Sequence, residues 1–81
     1  MQSMFERRSA MPLAMAQVDQ PFILRSIRAD RDMQTRLAAM GLYPGAKLTV
    51  VSNSLNGPCI VIVKDSRLVL DRQTAHQILV G

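Results

Sequence analysis

Residues 40–45 of the chain read MGLYPG, and residues 46–51 read AKLTVV. Gly41 lies where a helix is expected to end, because glycine adopts the left-handed conformation of a helix C-terminus at little cost. Pro44 and Gly45 have the backbone preferences of the two central positions of a type II turn. The β-branched residues that follow indicate a strand. The stretch therefore predicts a helix, a tight turn and a strand in direct succession.

The segment before Gly41 predicts a short amphipathic helix. Met33, Leu37 and Met40 follow one another at the spacing i, i+4, i+7, which places side chains on one face of a helix. Asp30 precedes this stripe and is expected to be the N-cap, since a carboxylate can accept hydrogen bonds from the first turn. With Met40 as the C-cap, Leu42 takes the position that packs back on Leu37 in a Schellman motif. We expect Leu42 to be buried between helix and sheet.

The rest of the chain alternates between apolar runs and turn residues, and it predicts a mainly β fold. Strands are expected over residues 22–27, 47–53, 59–63, 67–70 and 78–80, with a helical turn over 72–77. Imperfect alternation in the first strand indicates a bulge or burial on both faces, and the wholly apolar third strand indicates burial on both faces. Residues 13–18 are expected to pack loosely, and residues 1–10 to form a mobile tail. Five strands with one inserted helix predict a partly open barrel.

The order of these pieces resembles the FeoA family, whose members are small SH3-like barrel proteins that assist the membrane ferrous iron transporter FeoB. The matching pieces are residues 40–45, 55–58, 59–63 and 67–72, and the resemblance covers about residues 11–81. It implies one SH3-like domain over residues 11–81. It also implies a cytoplasmic accessory or regulatory protein that acts by contact with FeoB and its GTPase domain.

Composition limits the other function classes. The 81 residues are 48% hydrophobic but only 4% aromatic, which predicts a single domain with an aliphatic core. One cysteine cannot form an internal disulfide, so a reducing compartment is expected. No apolar run approaches the ~20 residues that span a bilayer, and the N-terminus lacks the apolar segment of a signal peptide. We expect no direct membrane insertion, although an amphipathic membrane contact around Met4 and Phe5 is an alternative for the tail.

The positive charge raises the question of nucleic acid. The formal net charge is +4, but the basic residues are mostly single and interleaved with aspartate, which is typical of a solvated surface. Stacking on bases needs aromatic platforms, and Phe5, Phe22 and Tyr43 are few and scattered. No nucleic-acid partner is therefore predicted. A weak nucleic-acid-binding barrel and a module related to the C-terminal domain of metal-dependent repressors are the alternative functions.

The sequence offers little catalytic or metal chemistry. It contains one histidine, His76, and one cysteine, Cys59, which lies in the most apolar strand and is expected to be inert. A ferrous site of two histidines and a carboxylate cannot form from one histidine. The six methionines are interpreted as core residues and start codons, with Met33 and Met40 in the helix core. We predict no enzyme activity, no cofactor and no metal site.

The expected partner surface comprises an aromatic residue and a loop. Tyr43 lies beside the rigid turn, and an aromatic side chain in such a place is suited to anchor a partner. The loop contains Leu55, Asn56, Gly57 and Pro58, with an apolar side chain at its tip. The alternative is that Leu55 folds under the barrel and Tyr43 covers Leu42. The sequence leaves the stoichiometry open, and weak self-association is one alternative. It also leaves open whether the chain activates or restrains the GTPase.

Overall fold

The structure, a computed structural model, describes residues 10–81. Its strands are β1 (Met11–Pro12), β2 (Pro21–Ile27), β3 (Lys47–Asn53), β4 (Cys59–Val63), β5 (Ser66–Leu70) and β6 (Ile78–Val80). The helices are α1 (Arg31–Ala39) and α2 (Arg72–Gln77), and a 3-10 turn spans Leu13–Met15. The strands form an antiparallel sheet in the order β1-β6-β2-β3-β4-β5. The predicted tail lies outside the described residues, apart from the exposed Ala10.

Strand β2 curves the sheet into a partly open SH3-like barrel. Its residues 21–23 pair with residues 47–49 of β3, whereas its second half pairs with β6. The register shifts between Leu24 and Ser26, as expected for a β-bulge. A bulge bends its strand and increases the local twist, so one strand can belong to both parts of the sheet. Of the two alternatives left open for this strand, a bulge or burial on both faces, the bulge is the one that the structure contains.

The N-terminal segment contributes to the core, so the expectation of loose packing over residues 13–18 is wrong. Strand β1 pairs with the C-terminal strand β6, which makes six strands instead of about five. Leu13 is fully buried in the 3-10 turn, and Ala14 and Ala16 are buried beside it. A two-residue strand and a single turn are too short to show a hydrophobic period. The sequence therefore gives no local signal for this packing.

Helix α1 begins as predicted but differs in its apolar stripe. The carboxylate of Asp30 accepts a hydrogen bond from the Met33 N–H at 2.9 Å, which makes Asp30 the N-cap. Leu37 is buried and Met33 packs against the core. Met40, in contrast, is 43% exposed, so its assignment to the helix core is wrong. The helix ends at Ala39, and Met40 as C-cap no longer follows the helical face.

The end of α1 has the geometry that the sequence predicts. Gly41 adopts a φ of 98°, and its N–H donates to the Ala38 carbonyl at 2.9 Å. The Leu42 N–H donates to the Leu37 carbonyl at 2.8 Å. These are the two hydrogen bonds of a Schellman motif. Leu42 is fully buried, in agreement with its predicted place between helix and sheet.

The following turn joins this helix end to the barrel. The Ala46 N–H donates to the Tyr43 carbonyl at 2.9 Å, and Gly45 has a φ of 97°, as a type II turn requires. The turn is also bound to β2. The Gly45 N–H donates to the Leu24 carbonyl at 2.8 Å, and the Leu24 N–H donates to the Ala46 carbonyl at 2.8 Å. Tyr43 is thus attached to a turn with fixed backbone geometry.

The core is aliphatic and lies inside the curved sheet. Its buried residues are Leu13, Ala14, Ala16, Leu24, Ile27, Leu37, Leu42, Ala46, Leu48, Val50, Cys59, Val61, Val63, Leu70, Ala75, Ile78 and Val80. Strand β4 contributes only alternate residues to it, because Ile60 and Ile62 are half-buried. The predicted burial of both faces of β4 is therefore wrong. Its outer face remains partly open to solvent.

Candidate partner-binding surface

Tyr43 lines a groove beside the type II turn. Its side chain is 40% exposed, and the groove has a volume of about 360 Å³. The other lining residues are Ala46, Lys47, Leu48, Thr49, Ile62, Val63 and Lys64. We call this the Tyr43 groove. Because the turn fixes the backbone, the ring would lose little conformational freedom on binding a partner.

The Tyr43 groove has a basic rim. Lys47 begins β3 and Lys64 follows β4, and both side chains are exposed. None of the eight lining residues is acidic. Arg67 pairs with Ile62 across β4 and β5, so its side chain lies on the same face of the sheet. The groove therefore combines apolar surface with positive charge.

An apolar strip extends from the groove along the outer face of the sheet. We define the outer strip as Ile62, Ile60 and Val69. Val69 pairs with Ile60 and is 64% exposed, whereas the two isoleucines are half-buried. Side chains at alternate strand positions share a face, so Ile60 and Ile62 lie in one row. The strip provides contiguous apolar surface along β4.

Leu55 lies in solvent at the tip of the loop between β3 and β4. It is 87% exposed, so the alternative in which it folds under the barrel does not hold. The Gly57 N–H donates to the Ser54 carbonyl at 3.3 Å, which closes a turn around Leu55 and Asn56. A Cβ added to Gly57 would lie 2.5 Å from the Ser54 hydroxyl oxygen, so the turn is suited to glycine. The exposed Pro58 then leads into β4.

The structure does not bring Tyr43 and the loop of residues 55–58 together. Tyr43 lines the groove with residues at the start of β3 and the end of β4, whereas the loop joins the opposite ends of these strands. At about 3.3 Å per residue, β3 separates them by roughly 20 Å. The outer strip lies between them. The predicted partner residues are thus the two ends of an elongated surface.

Arg72 holds the base of the loop, a role that its sequence position alone does not predict. Its Nη1 donates to the Asn53 side-chain oxygen at 2.7 Å and to the Ser54 carbonyl at 2.9 Å. Its Nη2 donates to the Ala14 carbonyl at 2.9 Å. The Asn53 amide nitrogen in turn donates to the Ala16 carbonyl at 2.7 Å and to the Leu13 carbonyl at 3.2 Å. We call these contacts the Arg72 network.

One sequence signal points to the unusual position of Arg72. It is the first residue of α2, directly after the N-cap Asp71, whose carboxylate accepts from the Thr74 N–H at 2.8 Å. A positive charge is disfavoured at a helix N-terminus because the helix dipole is positive there. An arginine at this position therefore indicates a further set of acceptors. Which acceptors it contacts depends on the tertiary fold.

Among residues 10–81, the two side chains of the types most often used as nucleophile or base, Cys59 and His76, lie in β4 and in α2. Burial raises the pKa of the Cys59 thiol, and the charge of Arg72 opposes this to a smaller extent. A raised pKa disfavours the reactive thiolate. His76 is exposed on α2. Within residues 10–81, no three His, Cys, Asp or Glu side chains are grouped so that they could hold a metal ion.

The helices found within residues 10–81 are too short and too polar to cross a bilayer.

Comparison with known proteins identifies relatives in sequence and in fold. The sequence model of the family described as FeoA domain matches residues 11–81. Fe(2+) transport protein A of Methanocaldococcus jannaschii is 38% identical over 69 residues, which cover 85% of this chain and 83% of that protein. The solution structure of a FeoA protein from Chlorobium tepidum is 29% identical with a TM-score of 0.78, and the match covers 88% of this chain and 69% of that one.

A more distant structural relative belongs to another functional class. A manganese-dependent transcriptional repressor is 22% identical with a TM-score of 0.77. The match covers 88% of this chain but only 40% of the repressor chain. At this level of identity the likeness shows a shared fold alone.

Proposed function

Because the chain belongs to the FeoA family, we propose that it is an accessory protein of ferrous iron uptake that acts by contact with the membrane transporter FeoB. In this proposal the chain works in the cytoplasm and binds at the GTPase domain of the transporter. Its effect is exerted through binding, and iron passes through the partner.

The Tyr43 groove and its continuation in the outer strip are the observation that carries this proposal. Single exposed apolar residues are ordinary on protein surfaces. Here Tyr43 and Ile62 line one groove, Val69 pairs with Ile60 on the same face, and Leu55 is exposed in the loop that precedes β4. Contiguous apolar surface on a small domain is typical of protein contacts, and a tyrosine on a rigid turn is a typical anchor residue.

The test is co-purification with detergent-solubilised, affinity-tagged FeoB. We expect Tyr43→Asp and Leu55→Asp each to reduce recovery of the chain, because each places a charge in the proposed contact. Val18→Asp is the matched control, since Val18 is 44% exposed and lines neither the groove nor the outer strip. Thermal unfolding of each variant checks that the fold is intact.

The outcomes separate the parts of the proposal. Failure of the wild-type chain to co-purify with FeoB would contradict the proposed function. Normal recovery of both aspartate variants would place the contact elsewhere on the chain. If Tyr43→Asp unfolds the domain, then Tyr43→Ser, which introduces no charge, replaces it in the same experiment.

A further inference from the structure

We propose that the Tyr43 groove binds an acidic, apolar peptide segment, in which carboxylates flank aliphatic side chains. The inference rests on the proposed function and deepens it, because it specifies the chemistry of the partner at one part of the surface. The expected occupant is a segment of a protein partner. Charge and apolar surface are arranged around the groove in a way that favours such a segment.

The rim of the groove favours carboxylates. Lys47 lines it from the start of β3 and Lys64 from the turn that follows β4, and Arg67 lies next to Ile62 on the same face. The nearest acidic residue in the sequence is Asp65, which lies in the turn between β4 and β5 and does not line the groove. Complementary charge across an interface speeds association and selects among partners.

The inner surface of the groove favours aliphatic side chains. Ile62 is half-buried, and Tyr43 presents an exposed ring at one side. Long lysine side chains can pack their methylene groups on such surface while their ammonium groups stay in water. An apolar side chain between two carboxylates would therefore meet apolar surface with cations on either side. A purely acidic segment would leave this surface uncovered.

Among the described residues, the two exposed lysines of the elongated surface, Lys47 and Lys64, both lie at its Tyr43 end. At the other end, Asp71 follows Leu70, which pairs with Cys59 next to the loop. Arg72 is also at that end, but its guanidinium donates to three acceptors within the chain. The loop end thus offers exposed Leu55 without a comparable basic rim. An acidic segment is expected at the Tyr43 end.

Fluorescence anisotropy of the full 81-residue chain with labelled nonapeptides tests the inference. The first peptide alternates leucine with glutamate, the second leucine with lysine, and the third serine with glutamate. We expect the first peptide to bind most tightly. Its affinity should fall between about 0.05 M and 0.5 M NaCl, because salt screens exposed charges.

Charge-reversed variants locate the binding site. Lys47→Glu combined with Lys64→Glu should weaken binding of the first peptide about tenfold or more at low salt. Arg31→Glu combined with Arg36→Glu is the control, since the pair makes the same total change of charge at two exposed positions on α1 that do not line the groove. It should leave the affinity unchanged. If the double glutamate variant does not fold, Lys47→Gln with Lys64→Gln tests the same prediction.

Three results would overturn the inference. The first is equal affinity for the glutamate and lysine peptides. The second is equal loss of affinity in the lysine double variant and in Arg31→Glu combined with Arg36→Glu. The third is binding to phosphatidylglycerol vesicles through Lys47 and Lys64 without binding to the acidic peptide, which would make the basic rim a membrane contact.

Co-purification with FeoB distinguishes this inference from the proposed function. If the lysine double variant still associates with FeoB while Leu55→Asp does not, the inference fails and the proposed function stands. If the wild-type chain binds the acidic peptide as expected but never associates with FeoB, the proposed function fails and the groove chemistry stands.

Discussion

Two glycines in the stretch after α1 share a backbone conformation but differ in their surroundings. Gly41 and Gly45 have φ values of 98° and 97°. A Cβ at Gly41 would lie 3.0 Å from Cγ1 of Val63, whereas a Cβ at Gly45 would meet nothing within 4 Å. Gly45 is thus required by its conformation alone. Gly41 is required by its conformation and by close packing on β4.

Alanine at these two positions should therefore differ in cost. We expect Gly45→Ala to destabilise the domain by about 1 kcal/mol, the cost of a left-handed alanine. Gly41→Ala should cost about 2–3 kcal/mol, because the same strain is joined by the contact with Val63. Urea unfolding of both variants measures the difference. Equal losses would mean that Val63 moves aside without cost.

Asp71 gives a prediction of pH dependence. Hydrogen bonds from Thr74 lower the pKa of the Asp71 carboxyl below its ordinary value of 3.8. A lowered pKa in the folded state means that the ionised carboxylate stabilises the fold above pH 3.8, and that this stabilisation is lost as the pH falls through the folded-state pKa. Asp71→Asn should therefore be less stable than the wild type near neutral pH.

The difference in stability between the wild type and Asp71→Asn should shrink below pH 3.8. Thermal unfolding across an acidic pH series measures it, and Asp65→Asn in the β4–β5 turn is the control. A stability difference that stays constant down to the lowest pH would show that the charge of Asp71 does not contribute to the cap.

At the scale of the elements, local patterns predicted most of the fold. The caps Asp30 and Asp71, the Schellman motif at Gly41 and the strands β2 to β6 all have sequence signals that act within a few residues. Strand β1 was missed, because its two residues become a strand only through pairing with β6, at the other end of the chain.

The same distinction applies to the candidate surface. The exposure of Leu55 could be predicted from its place between turn residues. The basic rim could not be predicted in this way. Lys47 and Lys64 are 17 positions apart in the sequence and become neighbours only when β3 pairs with β4. In the Arg72 network, the contact between Arg72 and Ala14 joins residues that are 58 positions apart. Such contacts depend on the tertiary fold, and no local period reports them.

The 3-10 turn before β2 is expected to be a structural part of the core. Leu13 is fully buried and Met15, two residues later, is 68% exposed. Leu13→Ala should cost about 2–4 kcal/mol, because it leaves a cavity among aliphatic side chains. Met15→Ala should change stability by less than about 0.5 kcal/mol. Chemical denaturation compares the two, and a small effect of Leu13→Ala would show that this segment packs loosely after all.

The Arg72 network should connect the loop to the N-terminal segment. Arg72→Met removes three donated hydrogen bonds and should cost about 2 kcal/mol, since bonds from charged donors to partly buried acceptors exceed those of neutral pairs. Arg72→Lys should recover less than half of this loss, because one ammonium group lacks the planar fork of a guanidinium. Hydrogen exchange at residues 54–57 and denaturation measure the effects. If Arg72→Lys recovered all of the lost stability, the positive charge of Arg72 and not the planar geometry of its guanidinium would account for the effect.

At the scale of the whole molecule, charge is spread evenly along the sequence but unevenly along the candidate surface. Residues 1–40 and residues 41–81 each have a net charge of +2. In the part of the chain that the structure describes, two lysines border the Tyr43 groove, while Arg72 is engaged by internal acceptors. Exposed arginines also lie on β2, directly after it and on α1, at Arg25, Arg28, Arg31 and Arg36. Positive charge outside the groove is thus scattered over several elements, which is typical of a solvated surface and does not favour a long anionic polymer.

This distribution predicts weak binding to nucleic acid. A chain with a net charge of +4 should associate with duplex or single-stranded DNA only at low salt, because nonspecific affinity comes from neutralised phosphates and released counterions. At ~0.2 M salt we expect the affinity to be weaker than about 10⁻⁶ M, with no preference among sequences. A filter-binding or anisotropy titration at two salt concentrations measures this, with Lys47→Glu combined with Lys64→Glu as the variant that should bind still more weakly. Submicromolar affinity at the higher salt would contradict the prediction, since purely electrostatic contacts have largely been lost there, and would restore a nucleic-acid-binding role for the barrel.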